Sequence, residues 1–306
     1  MNSPHTIVGL GEILWDIFPN GKKLGGAPAN FAYISSLLGE RGVIASRVGE
    51  DDFGREVRQQ LSSLVLETTH IQSDPTHPTG SVNVSVDSAG QASFEVTSPA
   101  AWDFLEPTPD WMQLAEKADA VCFGTLAQRS RQSRQTIQAF LSATRPGSLR
   151  VLDVNLRQSL YSAKVIARSA ELSQIIKLNR EELPIVLSLL GSSFVDEISA
   201  ARWLLKTFQL QLVCVTRASE GSLLLAADAY DEHPGISVNV VDTVGAGDAF
   251  TAALVYHYLR GASLQTMNVA ANRMGTWVAS QSGAMPPLNA ARLEMIRSPE
   301  KILQSH

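Results

Sequence analysis

Short apolar runs rich in β-branched residues recur along the chain: TIVGL (6–10), GVIASRV (42–48), AVCFGTL (120–126), LRVLDVN (149–155), QIIKLN (174–179) and LQLVCVT (210–216). Between them lie longer stretches in which apolar residues return every three or four positions, such as ANFAYISSLLG (29–39) and DEISAARWLLKTF (196–208). A period near two alternating with a period near 3.6 predicts βαβ units, hence an α/β fold with a mostly parallel sheet covered on both faces.

One segment departs from this rhythm. In TGSVNVSVDSAGQASFEV (79–96), Val82, Val84 and Val86 alternate strictly with polar residues, a Ser-Ala-Gly turn follows, and Ala92, Phe94 and Val96 continue the alternation. This predicts a half-exposed hairpin. Joined by the strand around Glu12 to Phe18, it forms either a small separate sheet, a lid, or an antiparallel extension of the main sheet. The expected organisation is a single domain over residues 1–306, with lid strands near 12–24 and 79–104.

Composition narrows the function. With 25 Lys and Arg against 30 Asp and Glu, the formal charge of -5 gives no electrostatic reason for a nucleic acid or an anionic membrane as partner. Cys122 and Cys214 sit in apolar runs without the paired spacing of a zinc site or disulfide framework, and read as reduced core thiols. The first residues lack a basic segment, and Glu12 and Asp16 interrupt their apolar stretch, so neither a signal peptide nor a membrane span is predicted. A small-molecule protein of the cytoplasm is the expectation.

The candidate chemistry lies in VVDTVGAGDAF (240–250), where VNVVDTV reads as a strand or strand end and GAGDAFTAALVYHYL as a helix. Small residues at such a junction let a ligand approach the main chain, and the first helical turn offers unpaired N–H groups with a partial positive charge. Asp248 there either caps the helix or faces a bound anion; the three small residues before it favour the second reading. Near the start of the chain, LGGAPANFAYISSLLG (24–39) places paired glycines and a proline before a helix carrying the polar Asn30, and Asp16 falls within the hydrophobic ILWDIF. A carboxylate in that setting points to solvent or accepts hydrogen bonds from hydroxyls.

These two signatures, in this order, resemble the ribokinase-like (PfkB-type) carbohydrate kinases, and the likeness continues through GEDDFG (49–54), DVNLR (153–157), KLNREEL (177–183) and VTRASEGS (215–222). The resemblance implies a three-layer sandwich with a mostly parallel central sheet and a small β-sheet lid. It implies that Asp248 is the base that takes a proton from a sugar hydroxyl as it attacks the γ-phosphate of ATP. The amides of Gly245, Ala246 and Gly247 would form the anion hole, and Asp16, Gly26, Asn30 and Arg157 would meet the sugar. Asn179 and Glu182 would organise phosphate and the water shell of Mg²⁺. Thr216, Ala218 and Gly221 would form the nucleotide turn, although the family usually has Gly where this chain has Ala218, and Asn272 would reach the purine. Asp242 and Gly283 would hold a monovalent cation, usually potassium.

No Walker A pattern, HExxH, nucleophile elbow or GxGxxG after the first strand is present. GGAPANFAY with DVNLR looks most like the fructokinase branch; ribose, 2-keto-3-deoxygluconate and a non-catalytic sugar sensor are the alternatives. Trp15, Phe18, Phe94 and Trp102 suit either stacking on a sugar face or core packing. A homodimer formed through the lid is a further expectation.

Overall fold

The computed structural model describes residues 3–64, 66–86, 92–287 and 290–298. Its main sheet is built from β1 (Thr6–Leu10), β4 (Arg41–Gly49), β5 (Ile71–Asp74), β8 (Ala120–Phe123), β9 (Leu149–Asp153), β10 (Ile175–Asn179), β11 (Leu212–Thr216), β12 (Ser222–Leu225) and β13 (Tyr230–His233). The strand order is β13, β12, β11, β10, β9, β8, β1, β4, β5. All neighbours are parallel except β11 with β12 and β12 with β13. A second sheet, ordered β3, β2, β6, β7, comprises β2 (Leu14–Phe18), β3 (Gly21–Gly25), β6 (Gly80–Val86) and β7 (Ala92–Val96). The hairpin is therefore part of a separate sheet rather than an extension of the main one, and β2 joins it to β6 in parallel. The Ser-Ala-Gly turn and the side chain of Phe94 lie outside the described residues.

Period-two alternation in the strands divides the core into two layers. Ile7, Ile44, Cys122, Val151, Ile175 and Cys214 point into one apolar cluster, which is filled by α1 (Ala27–Leu37), α8 (Ala246–Tyr258) and α9 (Leu264–Ala279). Their sequence neighbours Val8, Val43, Val121, Leu152, Ile176 and Val213 point into the other, against α3 (Pro109–Lys117), α4 (Arg131–Ala143), α5 (Ala163–Glu171), α6 (Glu182–Leu189) and α7 (Glu197–Thr207). A sheet buried on both faces needs such continuous apolar strands. Helices α2 (Asp52–Ser63) and α10 (Ala290–Arg297) complete the set. The result is a ribokinase-like α/β sandwich.

One sequence expectation changes and one open alternative closes. VNVVDTV forms no strand: Val240 and Val241 are exposed, and the amides of Val241 and Asp242 both bond to the Ala279 carbonyl rather than to a sheet neighbour. Trp15 and Trp102 are core residues, the latter wholly buried in a 3-10 turn (Ala101–Phe104) that follows β7.

Candidate active site

Helix α8 begins over the C-terminal edge of the main sheet, and its first turn is shaped by Gly245. That residue has φ 78°, and a Cβ there would lie 2.4 Å from the Cβ of Ala284. Only glycine fits both the left-handed backbone and the contact. Among the described residues the amides of Gly245, Gly247 and Asp248 have no acceptor, while that of Ala246 makes a long 3.3 Å contact to the Thr243 carbonyl. The start of α8 thus presents free donors and the positive end of a helix dipole, a place suited to an anion.

Asp248 lies in this turn, and its Oδ2 accepts a 2.8 Å hydrogen bond from the Asn30 amide on α1. Asn30 is held at the site by the turn before α1, where Gly26 has φ 106° and a Cβ would lie 2.6 Å from the Glu12 carbonyl oxygen. Burial raises the Asp248 carboxyl to about 6; Asp153 pushes it up further, while Asn30, Lys177 and Arg157 favour ionisation. It is therefore ionised near neutral pH, yet a better proton acceptor than a solvated aspartate.

Beneath α8 sits a buried ion pair that sequence reasoning did not single out. Asp153 and Lys177 are register partners on adjacent parallel strands β9 and β10, with Nζ to Oδ distances of 3.1 and 3.2 Å. Thr251 of α8 donates to Asp153 at 3.1 Å. Lys177 lies directly under the helix start, since a Cβ on Gly247 would be 3.0 Å from its Nζ. Burial alone would lower its pKa, but Asp153, Glu182 and Asp248 override this and push it up, so it is a permanent cation.

Arg157, the basic residue of the sugar side, is exposed on the loop after β9. Its charge acts on Asp248, Glu12 and Asp16. Burial lifts Asp16 to about 6, with Arg157 and Lys23 opposing and Asp242 reinforcing. Gly25 leaves the space that the Asp16 carboxylate occupies, as a Cβ there would be 2.5 Å from Oδ2.

On the other side, Asn179 and Glu182 lock the entry to α6 reciprocally: the Glu182 amide donates to Asn179 Oδ1 and the Asn179 amide to Glu182 Oε2, each at 2.8 Å. This is the logic of a capping box. Glu182 Oε1 also accepts from the Leu156 amide at 2.7 Å, so one carboxylate ties the loop carrying Arg157 to the start of α6. Burial raises the pKa of Glu182. Thr216 is the register partner of Asn179 and opens the turn through Ala218 to Gly221. Ala218 has φ 50°, a left-handed conformation that explains why glycine suits this place.

Asn272 stands apart. It is buried, and its amide donates to Ser222 Oγ at 2.7 Å and to Asn268, so its N–H donors are spent inside the core. The neighbouring Arg273, Thr276 and Trp277 instead line a cavity of about 280 Å³ with Ile236 and Val238.

At Asp242, Oδ1 accepts from the Val244 amide at 3.0 Å, and Oδ2 from the Gly283 amide at 3.1 Å and from the Lys23 ammonium of β3 at 2.7 Å. Burial opposes ionisation here, but these bonds outweigh it and hold the carboxyl below its usual range. The donor set does not fit a potassium ion as it stands, because Lys23 already places a monovalent cation on the carboxylate.

A carboxylate poised to take a proton, beside open amides at a helix start and over a fixed lysine, is the equipment of phosphoryl transfer to a hydroxyl. The chain belongs to the pfkB family of carbohydrate kinases, whose pattern matches residues 19–291. It is 31% identical over 259 residues to a fructokinase of Escherichia coli, covering 80% of this chain and 82% of that one. A fructokinase of Klebsiella pneumoniae is 33% identical over 259 residues, with the same 80% and 82% coverage. Among solved structures, an engineered double mutant of the Vibrio cholerae O395 fructokinase, bound to fructose, ADP and potassium ion, superposes with a TM-score of 0.83 at 27% identity, covering 97% of this chain and 99% of that one. Among the described residues no helix is long and apolar enough to cross a membrane.

Proposed function

We propose that this kinase transfers the γ-phosphate of ATP to a primary hydroxyl of fructose, with Asp248 as the base. The observation that carries the reading is the Asp248 carboxylate, aimed by Asn30 and set in the first turn of α8 among unpaired amides. In the reaction the sugar oxygen forms a bond to the γ-phosphorus, the bond to the ADP oxygen breaks, and the sugar proton passes to Asp248. The amides of Gly245 and Gly247 then stabilise the charge on the transferring group, with Ala246 joining once its long contact to Thr243 yields. Lys177 holds the positive potential beneath them.

Asp16, Gly26, Asn30 and Arg157 form the sugar side. Asn179, Thr216, Ala218 and Gly221 form the nucleotide side, and the cavity beside Trp277 is the place for the base, in preference to Asn272. Mg²⁺ neutralises phosphate charge when bound; Glu182 fits a role toward its waters, since each carboxylate oxygen retains a lone pair after its backbone bonds. Potassium activation requires Lys23 to leave Asp242. Fructose is favoured by the two fructokinase relatives; ribose and 2-keto-3-deoxygluconate are competing substrates. The lid sheet is proposed as a homodimer interface, which a monomer mass by light scattering would exclude.

A coupled ADP assay over hexoses, pentoses and sugar acids tests the substrate, with the highest kcat/KM expected for fructose. Asp248→Asn should lower kcat by about a hundredfold or more with sugar affinity nearly kept. Unchanged turnover would remove Asp248 from the chemistry, and ADP release indifferent to every sugar would point to a sensor.

A further inference from the structure

Glu12 lies two residues after the end of β1, at the same sheet edge as Asp153 and beneath the turn that carries Asn30. It is 3% exposed, and its Oε2 has no hydrogen-bond partner. Among the described residues no Lys, Arg or His lies within ion-pair distance of it. The charged groups that face it are Asp248 from α8, Asp153 from β9 and Arg157 from the loop after β9. Two are negative, and the single cation is shared with Asp16 and Asp248. The same region holds a buried acceptor with no donor, Asn30 Oδ1. An ionised carboxylate with one oxygen unpartnered and no cation at ion-pair distance is costly in such a place, whereas a carboxylic acid supplies the donor the cluster lacks.

We infer that Glu12 is a positioning residue that works in its neutral form: it keeps its proton while Asp248 gives its own up, and so holds a second negative charge away from the base and the incoming phosphoryl group. Burial raises Glu12 to about 7, its own backbone amide and Arg157 lower it, and Asp248 and Asp153 raise it, whereas Asp248 lies at about 6. The two titrate as a pair, and the first proton to leave is mainly that of Asp248. Over the interval between those values the site holds one ionised and one neutral acid. Above it, ionised Glu12 makes Asp248 a stronger base but sets a second negative charge against the incoming phosphoryl group, and that repulsion slows transfer. The inference rests on the kinase reading.

The test is the pH profile of kcat/KM for the sugar at saturating ATP, in the wild type and in Glu12→Gln, whose amide is neutral at every pH. The wild type should rise through about 6 and fall through about 7 by about tenfold per pH unit. In Glu12→Gln the acid limb should stay and the alkaline limb should vanish. At pH 8 the variant would then retain about sevenfold more of its own maximum than the wild type. An alkaline limb unmoved by the substitution overturns the inference. A second measurement needs no variant: carbon-13 NMR of carboxyl-labelled glutamate in the wild-type protein should show Glu12 titrating near 7. If every glutamate carboxyl titrates below about 5, the inference fails. Absence of sugar-dependent ADP release would instead sink the kinase reading and leave the NMR titration to decide Glu12 alone.

Discussion

Replacing Lys177 by Met isolates the element that lets several acids share one small volume. Its Nζ lies 3.1 and 3.2 Å from the two oxygens of Asp153, and both residues are less than a tenth exposed. At an effective dielectric of about 20 the direct attraction is about 5 kcal/mol, but desolvation of both ions cancels much of it. The cost of the substitution is therefore set by what it strands: Asp153, with Thr251 as its remaining donor, next to Glu182 and Asp248. Removing one member of a buried pair destabilises by about 3–5 kcal/mol, a large share of the about 5–15 kcal/mol that holds a domain together. At this chain length that lowers Tm by about 6–10 °C.

The pH dependence carries a definite sign. Asp248 and Glu182 have folded-state pKa values raised above their unfolded ones, so their favourable contribution is complete at low pH and is lost as pH rises through the folded value. Loss of Lys177 raises both further, so the deficit of Lys177→Met should be greatest above pH 7 and should narrow at pH 5.5. Urea unfolding at the two pH values, extrapolated linearly, reads this directly. The double variant Lys177→Met with Asp153→Leu should recover most of the loss, because an apolar pair of similar volume removes both charges; the cycle then reports the coupling. A single variant within about 1 kcal/mol of wild type at pH 7.5, or a double variant that loses the sum of the singles, would refute the reasoning.

Ala218→Gly should raise Tm by about 2 °C, since it relieves a left-handed alanine worth about 1 kcal/mol; calorimetry showing a lower Tm would mean that the turn is not strained. Lys23→Gln should make the melting temperature respond to potassium over sodium, a response the wild type should lack while Lys23 occupies Asp242. Equal response in both proteins would show that the ammonium does not compete for that carboxylate. Glu12→Gln should be more stable than wild type at pH 8 by up to about 3 kcal/mol and equal to it at pH 4, because the Glu12 pKa is raised from 4.5 to about 7. Urea midpoints that differ equally at both pH values would exclude ionisation as the cause.

The sheet was legible because burial on both faces leaves an apolar imprint: six runs read as strands became β1, β4, β8, β9, β10 and β11. VNVVDTV carries the same imprint and fails, since a strand needs a neighbour, and the amides of Val241 and Asp242 bond to the end of α9 instead. Conversely, β13 is a strand with the polar sequence YDEH because β12 lies beside it. Asn272 shows a related limit: helical spacing puts it on α9 but does not say that Ser222 and Asn268 claim its amide.

Asp153 and Lys177 were readable in principle. In LRVLDVN the face of Leu149 and Val151 continues to Asp153, and in QIIKLN the face of Ile175 continues to Lys177. A charge at the last inward position of a buried strand is expensive unless a partner sits opposite it. Two adjacent strands each ending on such a charge, of opposite sign, predict each other. What the chain could not disclose is that both fall beneath the first turn of a helix some seventy residues beyond Lys177, where the ammonium end of the pair meets the place an anion would occupy. The structural cost of burying Lys177 and its service to the site are thus one arrangement: the lysine stays charged because acids surround it, and those acids can be packed there because the lysine does.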